Sequence, residues 1–395
     1  MDSHQVRIER LVAGGDALGH LDDGRVVFVP GALPDEVVDI EITHTKTDFA
    51  RAKLIHVATE SPHRITAPCP HVARGCGGCS WQHLASDAQM AAKVEIVREA
   101  LRRNGKITDI EVVDGGRISD WGARTTLRMA VDASGQLGFR RASSHDVVDT
   151  PVCMVAHPLL NEIIPNIRAS KADEVTLRCG AMTGERGAWV HDKDGRGTLS
   201  GLGTDVGLGH EAIVHEIVGG VKLQVSMSSF FQSSHQGAEM LIETVRQAAG
   251  EHALSGADGP IVDAYGGVGL LSTTLVDRKT PVVLIESNNS ACADARMNLT
   301  GYNANVVRGS VEQWRAETAG LVIADPSRSG LGAATVARLV QTHAPRIVLI
   351  SCDAVASARD TRLLRDAGYS CSRATVLDLF PHTPHVEVVS TFLLN

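Results

Sequence analysis

Ile261-Val-Asp-Ala-Tyr-Gly-Gly-Val-Gly269 is an apolar run that ends in a polar residue and passes straight into a glycine-rich turn. Three later stretches repeat the first half of that pattern: Val282-Val-Leu-Ile-Glu286, Leu321-Val-Ile-Ala-Asp325 and Arg346-Ile-Val-Leu-Ile-Ser351. Segments with helical spacing separate them, among them Ala291–Leu299, Ala333–Gln341 and Val355–Ala367. Buried strands alternating with helices predict an α/β fold, a parallel sheet with helices on both faces. The closing stretch, His385-Val-Glu-Val-Val-Ser-Thr-Phe-Leu-Leu394, is a strand with no helix after it and is expected to insert antiparallel.

Upstream the pattern changes. The first sixty residues alternate short apolar runs (Val6–Ile8, Val26–Val29, Val37–Ile42, Leu54–Val57) with turns at Gly14-Gly15, Asp23-Gly24 and Pro30-Gly31. That spacing predicts a small β-barrel. A loop from Ser61 to His83 holds three cysteines, and Ser86-Asp-Ala-Gln89 reads as a capping box. The helix it opens would bury Met90, Val94, Val97 and Leu101 and stop at Gly105. From Ile107 to about Val225 the pattern is mostly strand-like. The expected division is 1–60, an OB-like barrel; 61–225, a central β-rich domain with the cysteines; and 226–395, the α/β domain.

Composition bounds the function. With 395 residues, 43% of them hydrophobic and 21% charged, the chain has the balance of a globular protein of two or three domains. No apolar run is long enough to cross a bilayer, and the polar start lacks the layout of a secretion signal. A cytoplasmic location and no membrane partner are expected, with a monomer as the expected state. Eight cysteines in a reducing compartment read as core, ligand or nucleophile rather than disulfides. The net charge of −8 argues mildly against nucleic acid. A local basic stripe could offset it: between Arg98 and Arg141 nine Lys/Arg face six Asp/Glu, with Arg124, Arg128, Arg140 and Arg141 near strand-like segments.

In a doubly wound sheet, ligands bind where the strands end and their order reverses. The Gly266-Gly-Val-Gly269 turn sits there, and Glu286, about twenty residues on, can accept hydrogen bonds from both hydroxyls of a ribose. A nicotinamide dinucleotide and S-adenosylmethionine both fit. The turn lacks the G-x-G-x-x-G spacing suited to a pyrophosphate, which favours S-adenosylmethionine. Cys352, in Leu349-Ile-Ser-Cys-Asp353, follows a buried strand and precedes a helix whose N-terminus would favour a thiolate. A lone cysteine is more often a small buried hydrophobe. The counterweight is position, because Asp325-Pro-Ser-Arg-Ser-Gly330 and Phe380-Pro-His-Thr-Pro-His-Val-Glu387 fall at the same sheet edge.

Those three clusters, with Arg359-Asp360 and Ser229-Phe-Phe-Gln232 ahead of Ala238-Glu239, resemble the S-adenosylmethionine-dependent RNA 5-methyluridine methyltransferases. The segment from Ile8 through Val37-Val-Asp-Ile-Glu-Ile42 similarly resembles a TRAM domain. The resemblance implies a Rossmann-like class I methyltransferase domain, with Cys352 as nucleophile toward uracil carbon 6 and Glu387 as the base that removes the carbon 5 proton. It implies that Gln232 and Asp325 bind the uracil or the donor's amino-acid end, and that Tyr265 and Glu286 hold the adenosine. Both faces of the base are needed, so a flipped or single-stranded uridine is implied. Ribosomal RNA is the favoured substrate over transfer RNA.

Cys69-x6-Cys76-Gly-Gly-Cys79 and the distant Cys153 offer four thiolates, which suit a [4Fe–4S] cluster or zinc. The resemblance favours iron–sulfur. Departures from the family pattern are Gly266 for cysteine, Ser310 for an aspartate near the adenine, Ser327 for proline, and Asp353-Ala354 for Asn-Pro. Two other readings stay open: an RNA-binding homologue that has lost catalysis, and an iron–sulfur oxidoreductase using a nicotinamide.

Overall fold

The computed structural model describes residues 3–395. Strands Ser3–Leu11, Ala17–His20, Val26–Val29, Val37–Thr45 and Phe49–Thr59 close into a barrel in the order first, second, third, fifth, fourth. The period of two in each strand decides its packing: Val6 and Ile8, Val27 and Val29, Val38 and Ile40, and Ala50 and Ala52 all point inward and are buried.

The central domain is a six-stranded sheet in the order Val206–Leu208, Arg186–His191, Glu174–Cys179, Thr126–Val131, Leu137–Arg140, Val147–Asp149. All its pairs are antiparallel except the outermost, Arg186–His191 with Val206–Leu208. A hairpin, Ile213–Val218 with Val221–Ser226, leads out of it toward helix His235–Ala249.

The C-terminal sheet runs Ala304–Arg308, Val282–Glu286, Ile261–Ala264, Leu321–Ala324, Arg346–Ser351, Glu387–Leu394, Arg373–Asp378, Glu111–Arg117. The first five strands are parallel, and Glu387–Leu394 is antiparallel to both its neighbours, as its lack of a following helix predicts. Every residue of Ile261–Ala264 and Leu321–Ala324 is buried, which fits strands covered on both faces. The strand order reverses between these two, so the ligand crevice opens there.

Three local expectations differ from the structure. Strand Glu111–Arg117 pairs in parallel with Arg373–Asp378, so the edge of the C-terminal sheet comes from inside residues 61–225 rather than from 226–395. Helix Ser86–Ala100, next to it, is tied in by a buried ion pair, Lys93 Nζ to Asp378 Oδ1 at 2.5 Å. The capping box also does not form. Ala85 is the N-cap, Ser86 Oγ donates to Asp120, and the Gln89 amide donates to the carbonyls of Trp81 and Leu84. The long-range partners win because Gln89 is buried, where its amide must be satisfied. The helix ends through a π turn, Leu101–Gly105, with the reversal at left-handed Lys106 instead of at the glycine.

Candidate active site

One cavity of about 890 Å³ lies at the crevice, between the ends of the C-terminal strands and the central sheet. Cys352, Glu387, Asp325, Gln232, Tyr265 and Glu286 line it, and so do Cys69, Cys76, Cys79 and Cys153. Segments far apart in sequence therefore meet in one space.

The glycine turn forms one wall. A Cβ on Gly266 would lie 2.5 Å from Leu284 Cγ, so this chain admits no cysteine there without a shift. Gly267 N–H donates to Glu286 Oε2 at 3.1 Å, and Asn288 N–H donates to Oε1 at 2.6 Å. The Glu286 carboxylate is thus fixed by backbone donors while it still faces the cavity. Tyr265 adopts a left-handed conformation, φ 64°, which costs a side-chain-bearing residue of order 1–3 kcal/mol. Its hydroxyl is held at 3.2 Å from Thr335 Oγ1. Below the turn, Asp263 is buried, accepts the Ser272 hydroxyl at 2.5 Å, and is pushed up to about 6 by desolvation. Ser310 is not among the residues lining the cavity.

The reacting groups stand opposite. Cys352 follows strand Arg346–Ser351 directly, and burial, then Glu387 and Asp325, push its thiol up to about 11. Arg328 is the cation that opposes this. The expected thiolate-favouring helix terminus is overturned for a physical reason. The Asp353 carboxylate caps that helix, accepting the N–H groups of Val355 and Ala356 at 3.0 and 2.8 Å, and so occupies those donors. Glu387 is buried, its Oε1 has no hydrogen-bond partner, and burial followed by the charge of Asp325 raises it well above an ordinary carboxylate. Asp325 is walled in by protein apart from its face on the cavity, and is pushed up to about 7 by burial and by Asp263.

Arg328 donates to the His385 ring at 2.7 Å. Burial and that guanidinium push His385 down to about 4, so the ring is neutral and can accept. Arg359-Asp360 clamps the loop: Asp360 accepts the N–H groups of Leu331 and Gly332, and Arg359 donates to the Ser329 carbonyl. Ser327 is exposed and points its hydroxyl at Ser329.

Two residues at the site carried no separate role in the sequence reading. Phe230 is 71% exposed and lines the cavity. A fully buried neighbouring signal, Ser229, donates to Asp294, and Arg178 donates to the Ser226 and Ser229 carbonyls, so the turn before Phe230 is held from two domains. Arg124 also lines the cavity, 4.5 Å over the Phe380 ring, and donates to Ser233. Of the four-arginine stripe, Arg128 lines the same cavity as Arg124. Arg128 and Arg140 share Glu174, and Arg141 packs beside Gly75.

The cysteines occupy the far end of the cavity. Burial pushes Cys79 up to about 11, with Cys153 and Cys76 adding to it. The thiols are nevertheless not gathered as a ligand set: among the described residues no group of three or more His, Cys, Asp or Glu side chains is placed to hold a metal ion. The expected metal site of Cys69, Cys76, Cys79 and Cys153 is corrected to that extent: the four thiols line one cavity without forming a gathered ligand set. Cys179, Cys292 and Cys371 are buried core residues elsewhere. Among the described residues no helix is long and apolar enough to cross a membrane.

The comparisons agree with this geometry. The TRAM domain model matches residues 4–55, and the tRNA (Uracil-5-)-methyltransferase model matches residues 310–394. A protein of Streptomyces avermitilis named an uncharacterized RNA methyltransferase is 31% identical over 428 residues, covering 98% of each chain. The 23S rRNA (uracil(1939)-C(5))-methyltransferase RlmD of Pectobacterium atrosepticum is 29% identical, covering 94% of this chain and 89% of its own. The crystal structure of Pyrococcus abyssi tRNA (uracil-54, C5)-methyltransferase in complex with S-adenosyl-L-homocysteine has a TM-score of 0.74 at 25% identity, covering 98% of this chain and 99% of its own.

Proposed function

This chain belongs to the tRNA (uracil-5-)-methyltransferase family of RNA methyltransferases and carries a TRAM domain, and from that premise we propose that it methylates carbon 5 of a uridine in 23S ribosomal RNA, with S-adenosylmethionine as donor. The observation that carries the chemistry is the meeting of Cys352, Asp325 and unpartnered Glu387 in one cavity with the Tyr265–Glu286 wall.

Carbon 5 of uracil is a poor nucleophile. The Cys352 thiolate adds to carbon 6 and leaves an enolate whose carbon 5 attacks the donor methyl. Positioning governs that step. The carbon 5 proton then passes to a carboxylate, the Cys352–carbon 6 bond breaks, and the RNA leaves with its uridine methylated at carbon 5. Glu387 is the base. Burial and mutual repulsion keep the Asp325/Glu387 pair from ionising together, so the charged member is a strong base in a dry site. Arg328 favours the thiolate and the enolate alike. Gln232 hydrogen-bonds the uracil or the donor's amino-acid end, a role its position on the cavity wall supports. Tyr265 and Glu286 hold the adenosine. Neither Ser327 nor Asp353 disturbs the reacting groups, since one is exposed and the other is an N-cap, which weighs against a lapsed enzyme.

The four cysteines are the proposed holders of a [4Fe–4S] cluster. What supports this is the donor set: four thiols from two segments facing one space, with burial pushing Cys76, Cys79 and Cys153 up. Bound there, the cluster would tie the loop at residues 69–79 to the central sheet.

RNA tritiated at uracil carbon 5 tests the reading. Donor-dependent tritium release from a 23S transcript, exceeding that from a transfer RNA transcript and abolished in Cys352→Ala, is expected. Release that survives Cys352→Ala refutes the nucleophile, and release from transfer RNA alone moves the substrate to that class.

A further inference from the structure

The barrel does not hang from the rest of the protein on a tether. Its core residues Val6, Ile8, Val38 and Ile40 belong to one continuous apolar cluster with Trp81, Leu84, Met90 and Val97. The same cluster reaches Val386 and Val388, on either side of Glu387, and Ala354, two residues from Cys352.

At the centre of that junction the barrel touches the turn leading to the base. A Cβ on Gly15 would lie 2.8 Å from Pro384 Cβ and Cγ and 3.0 Å from Trp81 Nε1. Trp81 is 1% exposed, and its Nε1–H donates to the Gly15 carbonyl at 3.2 Å while its backbone N–H donates to the His382 carbonyl at 2.9 Å. Gln89 Oε1 accepts the His382 N–H at 2.7 Å. His382 is held left-handed at φ 64°, with its ring stacked on Trp121 at 4.2 Å. Lys93 Nζ donates to the Phe380 carbonyl at 3.1 Å. A non-glycine residue in that conformation persists only when its surroundings over-determine it. Here the barrel corner, Trp81, Gln89 and Lys93 supply those surroundings.

We propose that Gly15, at the corner of the barrel, is a positioning element for the Phe380–His385 turn, so that the barrel acts on methyl transfer itself and not solely on RNA capture. The proposal rests on the uracil methyltransferase reading above for its catalytic consequence. Its structural consequence stands alone.

The sequence contains its own control. Gly14 and Gly15 are both left-handed, at φ 93° and 95°, so alanine strains the backbone alike at either position. Only at Gly15 does the added carbon meet the closing turn, since a Cβ on Gly14 has nothing within 4 Å. With the full chain and a 23S transcript, Gly15→Ala is expected to lower kcat about tenfold or more. Its KM for RNA and its affinity for S-adenosylhomocysteine should stay within about twofold of wild type, and Gly14→Ala should leave kcat within about twofold. Trp81→Phe, which removes only the Nε1–H donor, should fall between them and keeps the test open if Gly15→Ala folds poorly. Hydrogen exchange of the peptide spanning residues 379–388 should accelerate in Gly15→Ala and not in Gly14→Ala. Equal effects at the two glycines, or a raised KM with kcat intact, would overturn the proposal. If the wild-type chain methylates neither transcript, the functional reading fails, and the exchange comparison still decides whether the corner holds the turn.

Discussion

Asp360 and Glu387 are both buried carboxylates beside the loop that follows strand Leu321–Ala324, and the fold treats them in opposite ways. Asp360 accepts N–H from Leu331 at 2.6 Å and from Gly332 at 3.1 Å, and pairs with Arg359 at 2.8 Å. Glu387 has Oε1 bare and no cation against it. A buried carboxylate without partners destabilises the fold, so its retention needs a reason beyond stability. The contrast separates scaffold from chemistry: the satisfied carboxylate shapes the loop, and the unsatisfied one is left reactive.

The largest test of that contrast is Glu387→Gln. Loss of the base should lower turnover by about 10²–10⁴. Because methyl transfer precedes proton removal, the variant should accumulate a covalent RNA–protein adduct on a denaturing gel under methylating conditions. Free RNA alone would assign the proton to another group. The melting temperature should hold or rise, since a lone buried carboxyl becomes an amide.

Asp360→Ala should do the reverse. Two N–H donors and Arg359 lose their acceptor, at a cost of about 2–4 kcal/mol in denaturant unfolding. Turnover well below the melting temperature should be largely kept. A large loss of kcat with unchanged stability would place Asp360 among the reacting groups and erase the distinction.

The smallest effect concerns pH. Asp325 is raised from an ordinary 3.8 to about 7, so the folded protein binds the proton more tightly than the unfolded chain does. Its contribution to stability is full below about pH 4 and is lost as pH rises through about 7. Activity should run the other way, because it needs an ionised carboxylate and a thiolate from a thiol pushed up to about 11. Melting curves and turnover measured across pH check both signs, and Asp325→Asn should flatten the first. A melting profile as steep in Asp325→Asn as in wild type would remove Asp325 from this account.

Much of this was legible before any coordinates. The strands at Ile261, Val282, Leu321 and Arg346 were readable because unbroken apolar runs ending in polar residues have few other uses in a globular chain. The antiparallel last strand followed from the missing helix. The ten residues singled out by motif all line one cavity. Strand Glu111–Arg117 was misplaced because its apolar content does not say which sheet it joins. The capping box failed because Gln89 found deeper partners than its own helix terminus. Phe230 escaped notice because an exposed aromatic is visible only once exposure is known.

Local pattern and spacing alone determined the α/β sheet and the N-terminal barrel, since each is encoded within short runs of consecutive residues, while the nucleophile and base were expected from the resemblance of their motifs to a family. Only the tertiary structure decided which buried carboxylate keeps a bare oxygen, that burial and two carboxylates push the Cys352 thiol up, and that the barrel corner packs against the closing turn. Those properties arise from pairs such as Gly15 with Pro384 and Lys93 with Asp378, hundreds of residues apart, whose meeting no local pattern specifies.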